Sequence, residues 1–380
     1  MDLFDMLFPC AEGRLRAVIL DPDHNFKCES YFEDARRDFT SLTYVVKVDG
    51  WGAFSGAVTW AQSPLAEYLL PNYILVIYRT PPGGYAEYID FVGIIRRTEI
   101  FTASTDVTLV QIYGREIDSI LNRYIIEPTA GSTHNSKSGF ADNVIKGYVS
   151  DEMVSDATKT YPYFSVAANS SQSATTLARE IRYGNLYDTI KNIRDAADDF
   201  NFKVTITEDL GNFIFNTYYP QYGLDRRIGT ADPLIFSLDN RNMRLPMYWK
   251  RGYDAVSKVI VLGGGQGEDR AIVTVENADT EATWGFTEQT YDARNEADAN
   301  LESVGDGILH DRGPTEGLDF EIVNALYGVE WKLGYKVSAE YADVEADYII
   351  DEVRVVVNSE QLESPVEDIQ PNLRLLEIRS

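Results

Sequence analysis

The chain has 380 residues, of which 44% are hydrophobic and 12% aromatic, enough to bury a substantial core divided into two or three packed units. Its formal net charge of -26 excludes a nucleic-acid-binding surface, which needs clustered Lys and Arg to neutralise phosphate, and disfavours an acidic membrane surface for the same reason. Three readings of the acidity remain open: an ordinary solvated surface, a channel wall that must not hold a polyanion, or adaptation to a saline environment.

In chain order, Leu42 to Val48 and Ala53 to Trp60 are rich in β-branched and aromatic residues and flank Asp49, Gly50 and Gly52, which predicts a hairpin. Strands also fit Ile74 to Tyr78, Tyr88 to Phe101 and Asp106 to Tyr113. The first two of these are separated by the strong turn Pro81, Pro82, Gly83, Gly84, and Thr102 to Thr105 is a softer one. The segment GREIDSILNRYII follows, with Ile117, Ile120 and Leu121 at helical spacing, and predicts a short amphipathic helix leading into a strand. Residues 1–126 thus read as one antiparallel, barrel-like domain.

Residues 127–232 read as a small α+β insert. Phe140 to Val149 and Leu186 to Phe200 carry apolar residues at helical intervals, the second with a face of Leu186, Ile190, Ile193 and Ala197 and with Asn185 placed to cap its start. Phe202 to Thr207 and Phe213 to Tyr218 predict strands around a turn at Asp209 to Asn212. Residues 233–380 read as a second barrel-like domain. It has strands at Leu234 to Leu238, Ala255 to Leu262, Leu318 to Asn324, Lys336 to Tyr341, Tyr348 to Asn358 and Asn372 to Ile378, and one acidic helix around Ala293 to Asp306. An echo links the two ends: Tyr88, Ile89, Asp90, Val92 and Tyr348, Ile349, Asp351, Val353 each open a long strand. The fold class is therefore mixed β-rich α+β.

No residue is assigned to catalysis, to a cofactor or to a metal. GGGQGEDR, Gly263 to Arg270, lacks the Lys-Ser or Lys-Thr of a phosphate loop, and Ala271 to Val275 continues as a strand where a phosphate-binding helix would start, so it reads as a hairpin loop. His24, His134 and His310 are far apart and read as solvated, His310 at a helix end. Cys10 and Cys28 leave a single disulfide possible and give no zinc framework. Asp21 and Asp23 around Pro22 belong to a turn, and Asp195, Asp198 and Asp199 to a solvated helix face, sooner than to a glycosidase pair. There is no GxSxG and no HExxH. The N-terminus lacks a basic region followed by an apolar stretch, and the most apolar window, Tyr68 to Tyr78, is interrupted by Pro71 and Asn72. Neither secretion nor stable membrane insertion is indicated.

The order of segments carries more. FVGIIRR, GREIDSILNRYII, NLYDTIKNIRDAADDFNFKVTI, GNFIFNTY, a glycine loop and a terminal strand pair follow one another. This order resembles the siphovirus Gp37-like tail-hub family of long-tailed phages, related to baseplate hubs and to the N-terminal domains of tail-associated lysins. Gly93 to Ile95, Gly114 to Ile126 and Asn185 to Ala196 stand at the family's motif positions, with Glu116 where Asp is usual. The resemblance implies a homotrimer whose two barrel domains per chain form a ring of six similar units, joining a six-fold tail tube and distal tail protein ring to a three-fold tip. It also implies contacts with the tape-measure protein and with tail-tip fibre or receptor-binding proteins, transient passage of viral DNA without specific binding, and a place at the virion tail tip after assembly in the host cytoplasm. Many tail-associated lysins carry a hydrolase domain after the hub. This chain stops at Ser380, just beyond the last predicted strand, so an enzymatic role is expected of another polypeptide.

Two other classes are kept open. A carbohydrate- or receptor-binding β-protein would use some of Trp51, Trp60, Trp249, Trp284 and Trp331 as a stacking platform, although core packing is the commoner use of Trp. A cell-wall hydrolase would need a catalytic carboxylate.

Overall fold

The computed structural model describes residues 14–31, 39–61, 63–104, 107–156, 158–265, 267–358 and 366–379. Strand accounts for 48% and helix for 18%, which makes this the β-rich α+β protein expected from its Val, Ile, Tyr and Phe runs. Cys10, Thr105, Asp106 and Gln266 lie outside the described residues, and with Cys10 the disulfide expectation. No helix among those described is long and apolar enough to cross a membrane. The chain forms two compact units. The larger runs to Leu234 and takes in Ala325–Ser338 and Tyr348–Arg374, while the smaller comprises Ile235–Asn324, Ala339–Asp347 and the chain from Leu375.

The larger unit is built on a long sheet. Its first seven strands are β1 (Arg14–Leu20), β2 (Phe26–Tyr31), β3 (Phe39–Lys47), β4 (Ala53–Thr59), β5 (Ile74–Thr80), β6 (Tyr88–Ser104) and β7 (Val107–Glu116). They pair in the spatial order β2-β1-β5-β6-β7-β4-β3, all antiparallel. The turn expected at Asp21 to Asp23 joins β1 to β2, two strands that were not predicted from the sequence, and Asp21 holds it. Asp21 Oδ1 accepts from the amides of Asp23 and Asn25, both at 2.9 Å, and Lys27 pairs with Oδ2 at 2.7 Å.

Beyond β3 the ladder continues not with a neighbour in sequence but with Glu352–Asn358, register Glu352 to Lys47 through Asn358 to Ser41. The path is open, ending at β2 on one side and at the short Asp225–Arg226 strand on the other. The expected barrel closure is thus absent from the ladders of the described residues. Among the described residues the late strands make no second closed barrel either, and one of them pairs instead with the edge of β3.

One face of this sheet is covered by the insert. Helices Ala141–Ser150 and Leu186–Ala197 and the strands Phe164–Val166, Asn201–Ile206 and Phe213–Tyr218 bury Val144, Ile145, Ile190, Ile193, Phe202 and Phe215 against Val18, Leu20, Val76 and Ile94 of the sheet. The insert's three strands form their own sheet, with Phe213–Tyr218 central, parallel to Phe164–Val166 and antiparallel to Asn201–Ile206. Asn185 caps the second helix as expected, accepting from the Asp188 amide at 3.1 Å while its amide group donates to the Asn122 carbonyl at 3.1 Å. GREIDSILNRYII turns as a 3₁₀ helix, Ile117–Arg123, and enters the strand Ile125–Ile126.

The smaller unit holds the two-stranded pair Met243–Arg251 with Thr315–Ile322, and a three-stranded sheet with Lys258–Leu262 central between Ile272–Glu276 and Glu288–Asp292. Gly263 to Arg270 joins two antiparallel strands of that sheet, as a hairpin loop does. The acidic helix starts later than its pattern indicated, at Leu301–Asp311, after a 3₁₀ turn at Asp298–Asn300, and buries Leu301 and Leu309 against Val259 and Val261.

Candidate functional site

Within the larger unit a cavity of about 400 Å³ lies where the sheet meets the insert, lined by Tyr88, Asp90, Glu116, Lys203, Tyr222 and Lys332 among others. Two buried ion networks reach it.

The first grows from charges set in apolar strands. Arg79 lies in ILVIYRT of β5 and Asp90 in YIDFVGII of β6. Arg79 Nε donates to Asp90 Oδ2 at 2.8 Å, and its two terminal nitrogens hold both oxygens of Glu367 at 2.7 and 2.9 Å. The hydroxyls of Tyr44 and Tyr327 donate to the two oxygens of Asp90 at 2.6 and 2.7 Å. Burial holds both phenols protonated, far above their ordinary range. Burial works against the Arg79 charge, but the carboxylates of Asp90 and Glu367 outweigh it and hold the guanidinium charged.

The second ties three motifs together. Lys203, in the insert strand Asn201–Ile206, donates to Glu116 Oε1 at 2.6 Å, to Asp118 Oδ2 at 3.2 Å and to the Lys47 carbonyl at 2.9 Å. Glu116 Oε2 also accepts from the amides of Gly52 and Lys47, at 2.9 and 3.2 Å, and Asp118 Oδ1 from the Val204 amide at 2.7 Å. Burial, joined by the charge of Glu116 and opposed by Lys203, pushes the Asp118 carboxyl up to about 7. Asp49, read from sequence only as a turn residue, is buried, accepts from the Phe202 amide at 2.7 Å and forms an ion pair with Arg194, whose Nε lies 2.7 Å from Asp49 Oδ2. The close approach that aligns Glu116 needs Gly114: a Cβ there would stand 2.3 Å from the Ile94 carbonyl oxygen and 2.2 Å from the Phe54 ring.

Every carboxylate oxygen of Asp90, Glu116 and Asp118 therefore accepts at least one hydrogen bond. This arrangement suits a rigid joint between sheet and insert better than a general base, which needs an oxygen open to its substrate. Local sequence pattern does not mark these residues as a site, because the partners that join them are distant in the chain, as Glu116 and Asp118 are from Lys203 and Asp90 from Tyr327. The available signal was the lone charge inside an apolar strand, as in Arg79, Asp90 and Lys203.

The other singled-out residues are scattered. His24 is buried, not solvated: Nδ1 lies 3.0 Å from the Leu210 carbonyl and the ring stacks on Tyr163 at 4.8 Å, since the β1–β2 turn reaches the insert. Burial lowers its pKa, keeping the ring neutral. His134 contacts the Thr133 hydroxyl, and His310 is exposed in the last turn of the Leu301–Asp311 helix. Asp195 and Asp198 are exposed and pair with Arg194, while Asp199 accepts from the Ser173 hydroxyl at 2.9 Å. Among the described residues no cluster of three or more His, Cys, Asp or Glu has the geometry of a metal site.

Comparison with known proteins gives the fold its context. The tail protein of Neisseria meningitidis MC58 superposes with a TM-score of 0.51 at 11% identity, over 96% of this chain and 96% of that one. The 43 kDa tail protein of prophage MuSo2 from Shewanella oneidensis gives 0.53 at 9% identity, over 95% and 98%. The lidded Francisella PdpA-VgrG complex gives 0.52 at 12% identity, over 92% of this chain and 50% of that one. At such identities the likeness is one of fold. No curated protein matches the chain by sequence. The family model described as Siphovirus ReqiPepy6 Gp37-like protein matches residues 36–366, a span that contains Gly93 to Ile95, Gly114 to Ile126 and Asn185 to Ala196, and the chain belongs to that family.

Proposed function

We propose that the chain is a non-enzymatic structural component of a long-tailed virus: a trimeric hub at the tail tip that closes the tail tube and links the six-fold distal-tail ring to the three-fold tip. The family match across residues 36–366 carries this reading, and the likeness to two tail proteins over almost their whole length supports it. In this reading residues 1–126 and 233–380 carry the ring-forming hub domains and 127–232 the insert. The distal tail protein, the tape-measure protein and tail-tip fibre or receptor-binding proteins are its neighbours, and viral DNA passes through its channel without specific binding. The net charge of -26 serves such a channel, because a wall of carboxylates gives a polyanion no place to stick.

Light scattering of the purified protein across a range of salt, with negative-stain imaging, tests the assembly. A three-fold ring with a central channel is expected. A compact monomer, alone and with the distal tail protein added, would overturn the hub reading, as would absence of the chain from purified virions.

A further inference from the structure

The tryptophans differ in how they are held. Trp331 is 2% exposed and belongs to the core of the larger unit, and the half-buried Trp51 packs edge-on against Tyr187 at 4.2 Å. In the smaller unit Trp249 donates to Asp319 Oδ2 at 2.8 Å with the Arg251 guanidinium over its ring at 5.4 Å, so that face is taken. Trp284 is 39% exposed and ends the short helix Ala278–Trp284. Its ring lies on the main chain of Gly252, where an added Cβ would stand 2.3 Å from Cε3 and 2.4 Å from Cδ2. The indole is thus backed by a residue that must lack a side chain. The same ring lines a cleft of about 460 Å³.

The polar walls of that cleft include Asp279, Thr283, His310, Lys250 and Glu316. The amine of Lys250 is already paired with Glu316 at 3.2 Å, and Glu316 also accepts from the Tyr248 hydroxyl at 2.6 Å. Asp279, Thr283 and His310 are exposed and make no side-chain hydrogen bond or ion pair among the described residues. A flat apolar plate fixed from behind, bordered by a carboxylate, a hydroxyl and an imidazole, matches a pyranose ring. Its axial C–H groups lie on the indole while its hydroxyls find both donors and acceptors. The cleft is of a size that holds small ligands. An acidic sugar is disfavoured, because the cleft's amine is spent and the chain as a whole is strongly negative.

We propose that this cleft binds neutral pyranose oligosaccharides, with Trp284 as the stacking platform and Asp279 and Thr283 as hydroxyl partners. The proposal does not depend on the hub reading.

Calorimetric titration of the full chain with maltohexaose, cellohexaose and chitohexaose, and with a hyaluronan hexasaccharide as the acidic probe, tests it. At least one neutral hexasaccharide binds and the acidic one does not. Trp284→Leu weakens binding about tenfold, whereas Trp60→Leu, at an exposed tryptophan of the larger unit without such backing, leaves it within about twofold of the parent. Thermal unfolding of each variant separates loss of the site from loss of the fold. Should Trp284→Leu fail to fold, Asp279→Asn and Thr283→Val on the exposed helix face must each weaken binding. Failure of all three neutral probes to bind, unchanged binding by folded Trp284→Leu, or equal binding of hyaluronan would overturn the proposal.

Discussion

Lys203 answers two buried carboxylates at once. Replacing it with Met leaves Glu116 and Asp118 in the interior without a counter-charge, and a loss of about 3–5 kcal/mol is expected in urea or guanidinium unfolding. The same triad sets a pH dependence. Asp118 titrates near 7 in the folded protein against an ordinary value of 3.8, so between those values the native state binds more protons than the unfolded chain. Its contribution is therefore greatest at the acid end and is lost as pH rises toward 7. Asp21 works in the opposite sense. Hydrogen bonds from Lys27, Asn25 and Asp23 outweigh the effect of burial and hold it near 2, so its contribution is present above pH 4 and fades below. Stability measured from pH 4 to pH 8 should fall less in Asp118→Asn than in the parent, and an unchanged slope would place the dependence elsewhere.

At the level of elements, the legible parts were those whose signals are local. The cap at Asn185, the helix face of Leu186, Ile190 and Ile193, and the turn at Gly263 to Arg270 all stand where their patterns indicated. Asn185→Ala should cost about 1 kcal/mol, read as a shift in the denaturation midpoint, because the Asp188 amide loses its acceptor. Gly114→Ala drives a methyl into Phe54 and the Ile94 carbonyl, and a cost of about 1–3 kcal/mol is expected by the same measurement. What could not be read were long-range partners. Nothing in the spacing of LTYVVKV says that its free edge is taken by VRVVVN near the other end of the chain, nor that Asp49 leaves its turn to anchor Phe202. Candidate sites followed the same division. Trp284 could be singled out as an aromatic, but the backing of its ring by Gly252 is a contact between distant residues.

For the whole molecule, the hub reading predicts an oligomer whose mass in solution is three times that of the 42.8 kDa chain. Because each chain carries a net charge of -26, the trimer should be favoured by added salt, which screens the mutual repulsion. Dissociation on raising salt would point instead to an assembly held by charge complementarity. The pairing of β3 with Glu352–Asn358 also bears on how the protein is made. A ribosome adding 5–20 residues per second needs roughly 15–60 s to travel from one partner strand to the other. For that time the nascent chain displays an unpaired strand edge, open to the wrong neighbour. Ribosome-associated chaperones should therefore occupy this chain until its C-terminal strands emerge, and a chain truncated before Glu352 should be recovered mainly in inclusion bodies.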